Sequence, residues 1–177
     1  MLLQSIRVKQ ACEEIGLMKP CFQTKHAEIP ETYINGKKYT LVFPRFIERF
    51  SQKKEIDISF TGLITPKRKK FLNKLLDTYG EVYITESFNG RDKDKKTLDS
   101  EYFERLGISK FVACPDGDFT WSYRFFEAIL CKAIPIIEND SQLYKGYKFY
   151  RLGDKLEYRQ DWIEHNLEKV KKEMMLH

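Results

Sequence analysis

Thr120, Arg124 and Glu127 stand at i, i+4 and i+7, so on a helix they form one stripe carrying a hydroxyl, a guanidinium and a carboxylate in that order. They follow a Pro115-Asp116-Gly117-Asp118 loop, and the residue pattern places a helix start at Thr120. A helix start offers unpaired backbone N–H groups and the positive end of the helix dipole, which together suit a diphosphate. Thr120, Ser122 and the backbone there are placed to hold phosphate oxygens. Arg124 is suited to pairing with them bidentately, and Glu127 to accepting hydrogen bonds from the two hydroxyls of a ribose. The stripe therefore fits a nucleoside diphosphate. The same spacing equally describes an i, i+3 ion pair between Arg124 and Glu127 on an exposed helix face, and spacing does not separate the two.

Other chemistry-bearing residues form weaker patterns. Asp92-Lys93-Asp94 spells a DxD metal motif, but it lies between Arg91 and Lys95-Lys96 rather than after an apolar strand, so no metal site is expected. Cys12, Cys21, Cys114 and Cys131 have neither CxxC spacing nor a neighbouring histidine cluster, which argues against zinc. Cys114 and Cys131 lie in apolar stretches and read as small core residues. The candidates for a general base are His26, in a His26-Ala27-Glu28 loop, and Asp118. The pattern names no single catalytic residue.

Positioning these residues requires an alternation of strands and helices from Ile56 onward. Ile56-Asp57-Ile58-Ser59-Phe60 alternates as a strand, and Thr65-Pro66 supplies an N-cap and an N1 proline. Phe71, Leu72, Leu75, Leu76 and Tyr79 continue at helical spacing to Gly80, a C-terminal stop. A strand at Val82–Thr85 follows, and then a short helix marked by Tyr102, Phe103 and Leu106 and stopped at Gly107. Next come a buried strand at Phe111–Cys114, a helix from about Trp121 to Lys132, a strand at Ile134–Ile137 and an edge strand at Tyr147–Tyr150. A final helix from about Asp161 carries Trp162, Ile163, Leu167, Val170 and Met174 on one face. Buried strands joined by helices predict a Rossmann-like parallel sheet covered on both sides, with ligands at the carboxyl ends of its strands. Residues 1–55 stand apart. A helix over residues 4–15 and a hairpin about Asn35-Gly36 are expected there, as a reduced or partial acceptor side before a nucleotide-sugar-binding domain at 56–177.

Bulk properties bound the function. The chain has 177 residues, 42% hydrophobic and 14% aromatic, enough for one α/β domain and short for two. A net charge of +5, much of it in Lys67-Arg68-Lys69-Lys70 and Arg91–Lys96, suits an anionic ligand but is too mild for nucleic acid. Met1-Leu2-Leu3 opens no long apolar run and no stretch approaches a membrane span, so the expectation is a cytoplasmic chain, or one whose anchor has been removed.

The string Ser109-Lys110-Phe111, Cys114-Pro115-Asp116-Gly117-Asp118, Trp121-Ser122-Tyr123-Arg124-Phe125-Phe126-Glu127-Ala128 and Ala133-Ile134-Pro135-Ile136-Ile137 resembles the exostosin-like glycosyltransferases. In that family a similar run forms part of the donor site of a GT-B fold. Phe60-Thr61-Gly62 and Arg68 are similar to its strand–glycine loop and basic helix start. The resemblance is dense over Ser109–Asp140, thinner over 56–140, and carries nothing before residue 50. It implies ribose binding by Glu127 and diphosphate binding by Arg124 and Ser122, with Arg68 a second diphosphate candidate. The implied donor is a UDP-sugar and the implied acceptor a carbohydrate or other hydroxyl.

Two departures matter. Retaining GT-B enzymes often carry an acidic residue eight positions before the glutamate, where this chain has Phe119, which favours inversion. A full acceptor lobe also needs more than residues 1–55, so a second glycosyltransferase chain or another copy of this one is a further expected partner. The competing readings are an α1,3-fucosyltransferase-like enzyme with a GDP-linked donor, and a catalytically inactive module that binds nucleotide or assembles with another glycosyltransferase.

Overall fold

The computed structural model describes residues 20–22, 31–34, 37–40, 47–86, 100–117 and 120–174. The helix expected over 4–15 and the Asp92-Lys93-Asp94 motif lie outside them. Upstream, β1 (Pro20–Phe22), β2 (Glu31–Ile34) and β3 (Lys37–Thr40) form an antiparallel sheet in the order β1-β2-β3. Ile34 pairs with Lys37 on either side of Asn35-Gly36.

The main sheet has five parallel strands in the order β5-β4-β6-β7-β8, from β4 (Ile56–Gly62), β5 (Tyr83–Glu86), β6 (Ser109–Cys114), β7 (Ile134–Ile137) and β8 (Tyr150–Arg151). This is the expected Rossmann-like arrangement. The chain adds β5 on one side of β4 and then returns to add β6 on the other. The order of winding reverses between β4 and β6, which is the topological switch point where open α/β sheets leave a crevice for ligands.

Side chains alternate across the sheet with the period of two that a strand imposes. Phe111, Ala113, Ile134 and Ile136 join Ile58 and Phe60 under α1 (Pro66–Tyr79), which contributes Phe71, Leu72 and Leu75. Val112, Cys114 and Ile137 face the other way, toward α2 (Ser100–Ile108) and α3 (Tyr123–Leu130). The last helix, α4 (Gln160–Met174), places Ile163 in the first layer and Val170 in the second, and Trp162 stacks on Tyr150 of β8 at 4.8 Å. Burial of its Ile163–Val170 face agrees with the periodicity.

Local rules explain the element ends, with three corrections to the sequence reading. α1 starts as expected: Thr65 Oγ1 accepts from the Arg68 amide at 3.3 Å, Pro66 is the first helical residue, and Gly80 ends it at φ +80°. Gly107, read as a helix stop, lies inside α2. Its role is close approach, because a Cβ there would overlap the Phe50 carbonyl oxygen. Tyr147 belongs to the core rather than to the edge strand, which begins at Tyr150. The third correction is the start of α3, which falls at Tyr123 rather than Thr120.

Lys54 ties the segment before β4 to this core. Its ammonium donates to Gly107 O at 2.7 Å and Cys131 O at 2.6 Å, carbonyls at the C-terminal ends of α2 and α3, where the helix dipoles favour a cation. Burial nevertheless lowers its pKa to about 8.

Candidate functional site

The carboxyl ends of β4 and β6 bring together Gly62, Arg68, Ser122, Arg124 and Glu127, from three stretches of chain. Arg124 is the centre. It leaves the first turn of α3, is only 8% exposed, and reaches across the switch point to donate from Nη2 to Thr61 O of β4 at 3.0 Å. Its guanidinium carbon lies 4.6 Å from the ring centre of Phe60 and 5.9 Å from that of Tyr102. Gly62 makes this possible. Its φ is +149°, and a Cβ there would overlap Arg124 Nη2.

Glu127 lies one turn on, half-buried, and its carboxylate accepts from the hydroxyl of Tyr102 on α2. It makes no ion pair with Arg124, so the exposed i, i+3 pair that the spacing allowed is not what the chain builds. A guanidinium this deep normally has a carboxylate against it. Here Arg124 Nε has no hydrogen-bond partner among the described residues, and neither do the buried hydroxyls Thr61 Oγ1 and Ser122 Oγ. All three atoms belong to the end of β4 and the start of α3. Native proteins rarely strand buried polar atoms, so each of the three calls for a partner.

The start of α3 is fixed by residues that sequence reasoning missed. Ser122 is the N-cap residue, but its hydroxyl makes no capping bond, and its amide donates to Tyr144 Oη at 2.9 Å. The Tyr144 ring stacks on Phe125 at 3.8 Å, which carries it to that point. Thr120 lies before the helix and is exposed, so it is not on the Arg124–Glu127 stripe as expected. Gly117 closes the loop by donating to Trp121 O at 3.1 Å, where a Cβ would come within 2.9 Å of that oxygen.

Asp116 joins the loops around the site. Its buried carboxylate receives Lys67 Nζ at 3.2 Å and Asn139 Nδ2 at 2.8 Å, and its amide donates to Glu138 Oε2 at 3.2 Å. Arg68 donates to Leu63 O at 3.0 Å and reaches Asp116 O at 3.5 Å, so it anchors both strand-end loops. No residue count or period singles out Asp116. The base candidates His26 and Asp118 lie outside the described residues. Burial pushes the Cys114 and Cys131 thiols up to about 12, which keeps both protonated and unreactive as core residues.

The family model of the exostosin GT47 domain matches residues 17–145, well over half of the chain. The chain belongs to the exostosin GT47 family. Membership makes it a glycosyltransferase domain, one that binds a nucleotide-sugar and an acceptor. In this exostosin GT47 domain the match opens before β1, so the family pattern takes in the upstream segment as well as the strand–loop–helix run on which the resemblance rested. It closes before β8 and α4. No curated protein matches the chain. Among the described residues, no helix is long and apolar enough to cross a membrane.

Proposed function

We propose that this exostosin GT47 domain binds a nucleoside-diphosphate sugar, with UDP as the nucleotide, at the β4–β6 switch point and transfers the sugar to an acceptor hydroxyl with inversion. The observation that carries the reading is Arg124: a buried guanidinium with no carboxylate partner among the described residues, with unpartnered hydroxyls on Thr61 at the end of β4 and on Ser122 at the start of α3. An uncompensated buried cation costs several kcal/mol, and an anion that arrives with the substrate removes that cost. A diphosphate supplies the anion, and the start of α3 adds amide dipoles to it. Glu127, one turn further along α3, is assigned to the ribose hydroxyls.

In the transfer, the acceptor oxygen attacks the anomeric carbon as its bond to the diphosphate breaks. The electron pair goes to the diphosphate oxygen, where Arg124 and the α3 amides stabilise the charge that develops. The acceptor proton passes to a general base, for which His26 and Asp118 are the candidates. Phe119, in place of a second acid, supports inversion. Because protein cations face the leaving group, the reaction is proposed to need no metal. Residues 56–177 supply the donor side, and the acceptor side is assigned to the segment before Ile56 or to a partner chain.

A thermal-shift panel of UDP, GDP and CMP, followed by turnover with the matching sugar donors and with EDTA present throughout, tests the reading. The expected result is a UDP-selective rise in melting temperature, and hydrolysis or transfer that survives chelation. Silence from every nucleotide would remove the donor site. Binding without turnover on any acceptor would favour the inactive module.

A further inference from the structure

Tyr102 lies outside the motif that marks the site, yet it touches both of the residues on which the donor reading rests. It sits on α2, 6% exposed, with its ring edge-on to Phe103 at 5.0 Å. Its hydroxyl donates to Glu127 Oε2, and its ring centre lies 5.9 Å from the guanidinium carbon of Arg124. Arg124 and Glu127 are one helical turn apart, the spacing at which opposite charges ordinarily pair. They do not pair here, and Tyr102 is the only hydrogen-bond partner of the Glu127 carboxylate among the described residues. An Arg124–Glu127 pair would cancel the charge that a diphosphate needs and occupy the carboxylate that a ribose needs.

We infer that Tyr102 is a positioning residue: it holds the Glu127 carboxylate away from Arg124, leaving the guanidinium for the diphosphate and Oε1 for the ribose diol. The inference rests on the donor reading above. Tyr102 thereby sets two properties at once, the affinity for the charged diphosphate and the preference for ribose over deoxyribose.

Calorimetry on the full chain with UDP, 2′-deoxy-UDP and pyrophosphate tests this in wild type, Tyr102→Phe, and the Tyr102→Phe/Glu127→Gln double variant. Wild type should prefer UDP to 2′-deoxy-UDP by about tenfold, the worth of one hydrogen bond to a charged group. Tyr102→Phe should reduce that preference to about threefold or less, and should weaken pyrophosphate by about three- to tenfold as Glu127 swings onto Arg124. In the double variant pyrophosphate affinity should return to within about twofold of wild type, because a neutral glutamine cannot neutralise the guanidinium. A general packing defect would give no such recovery. Tyr102→Phe with the full ribose preference and unchanged pyrophosphate affinity overturns the inference, as does a pyrophosphate loss that Glu127→Gln leaves unrepaired. Tighter UDP binding in Tyr102→Phe also overturns it, by showing that the hydroxyl competes with the ribose. A wild type that binds UDP and 2′-deoxy-UDP equally overturns the ribose reading and this inference together.

Discussion

Replacing Arg124 by methionine keeps most of the aliphatic stem and removes the guanidinium. In the absence of ligand the substitution breaks the 3.0 Å hydrogen bond to Thr61 O and the contact over Phe60 at 4.6 Å. Those losses amount to about 1–3 kcal/mol for the stranded carbonyl and about 0.5–2 kcal/mol for the cation–π contact. Against them stands the relief of a buried, uncompensated charge, an effective penalty of several kcal/mol, together with the removal of a stranded Nε. The opposing terms are of similar size, so Arg124→Met should change unfolding stability by no more than about 1 kcal/mol and in either direction. Binding should respond quite differently. Loss of a charge-assisted pair to a diphosphate should weaken UDP by about 1.5–3 kcal/mol, roughly ten- to a hundredfold, and leave uridine within about threefold. Urea unfolding without ligand and calorimetry with UDP and uridine measure both halves. A variant destabilised by more than about 3 kcal/mol, with UDP and uridine affected alike, would make Arg124 a structural residue and refute the reasoning.

Gly62→Ala should act through the same atom: a methyl overlapping Arg124 Nη2 displaces the guanidinium, so UDP binding should fall at least about tenfold while uridine changes little, and unchanged UDP affinity would deny the close approach a role. Gly107→Ala, which helix propensity alone would score as stabilising by about 0.8–1 kcal/mol, should instead destabilise by at least about 2 kcal/mol because of the clash with the Phe50 carbonyl, as read by thermal or urea unfolding. Lys54 makes a prediction about pH. Its folded pKa, about 8, lies below the ordinary 10.5, so between those values the unfolded chain holds the extra proton and stability gains as pH rises. The difference in unfolding free energy between wild type and Lys54→Met should therefore shift toward wild type by about 1–3 kcal/mol between pH 8 and 10.5, and a flat difference would deny the buried charge.

The strands and α1 were legible because local rules agree with the tertiary outcome there. Alternation in β4, the Thr65-Pro66 cap and the Gly80 stop each act within a few residues. What was missed depends on contacts distant in sequence. Gly107 looks like a C-terminal glycine, and only the Phe50 backbone packed against α2 reveals why a side chain is excluded. The pattern put the start of α3 at Thr120, but the Ser122 amide is taken by Tyr144 and the helix begins at Tyr123. Periodicity assigns Arg124 to a polar stripe without showing where the side chain goes. The side chain is buried, because it runs inward to the end of β4. The roles of Tyr102, Asp116 and Tyr144 carry no signal of spacing or composition, since each acts through hydrogen bonds or ion pairs to residues distant in sequence.

Hydrogen–deuterium exchange of the full chain with and without saturating UDP tests the central claim most directly, because it asks where the nucleotide sits without depending on acceptor or sugar. New protection is expected at the end of β4 about Gly62–Ile64 and at the start of α3 about Ser122–Arg124, with loss of that protection in Arg124→Met. Saturating UDP that protects some other part of the chain, or protects these amides equally in Arg124→Met, would contradict it.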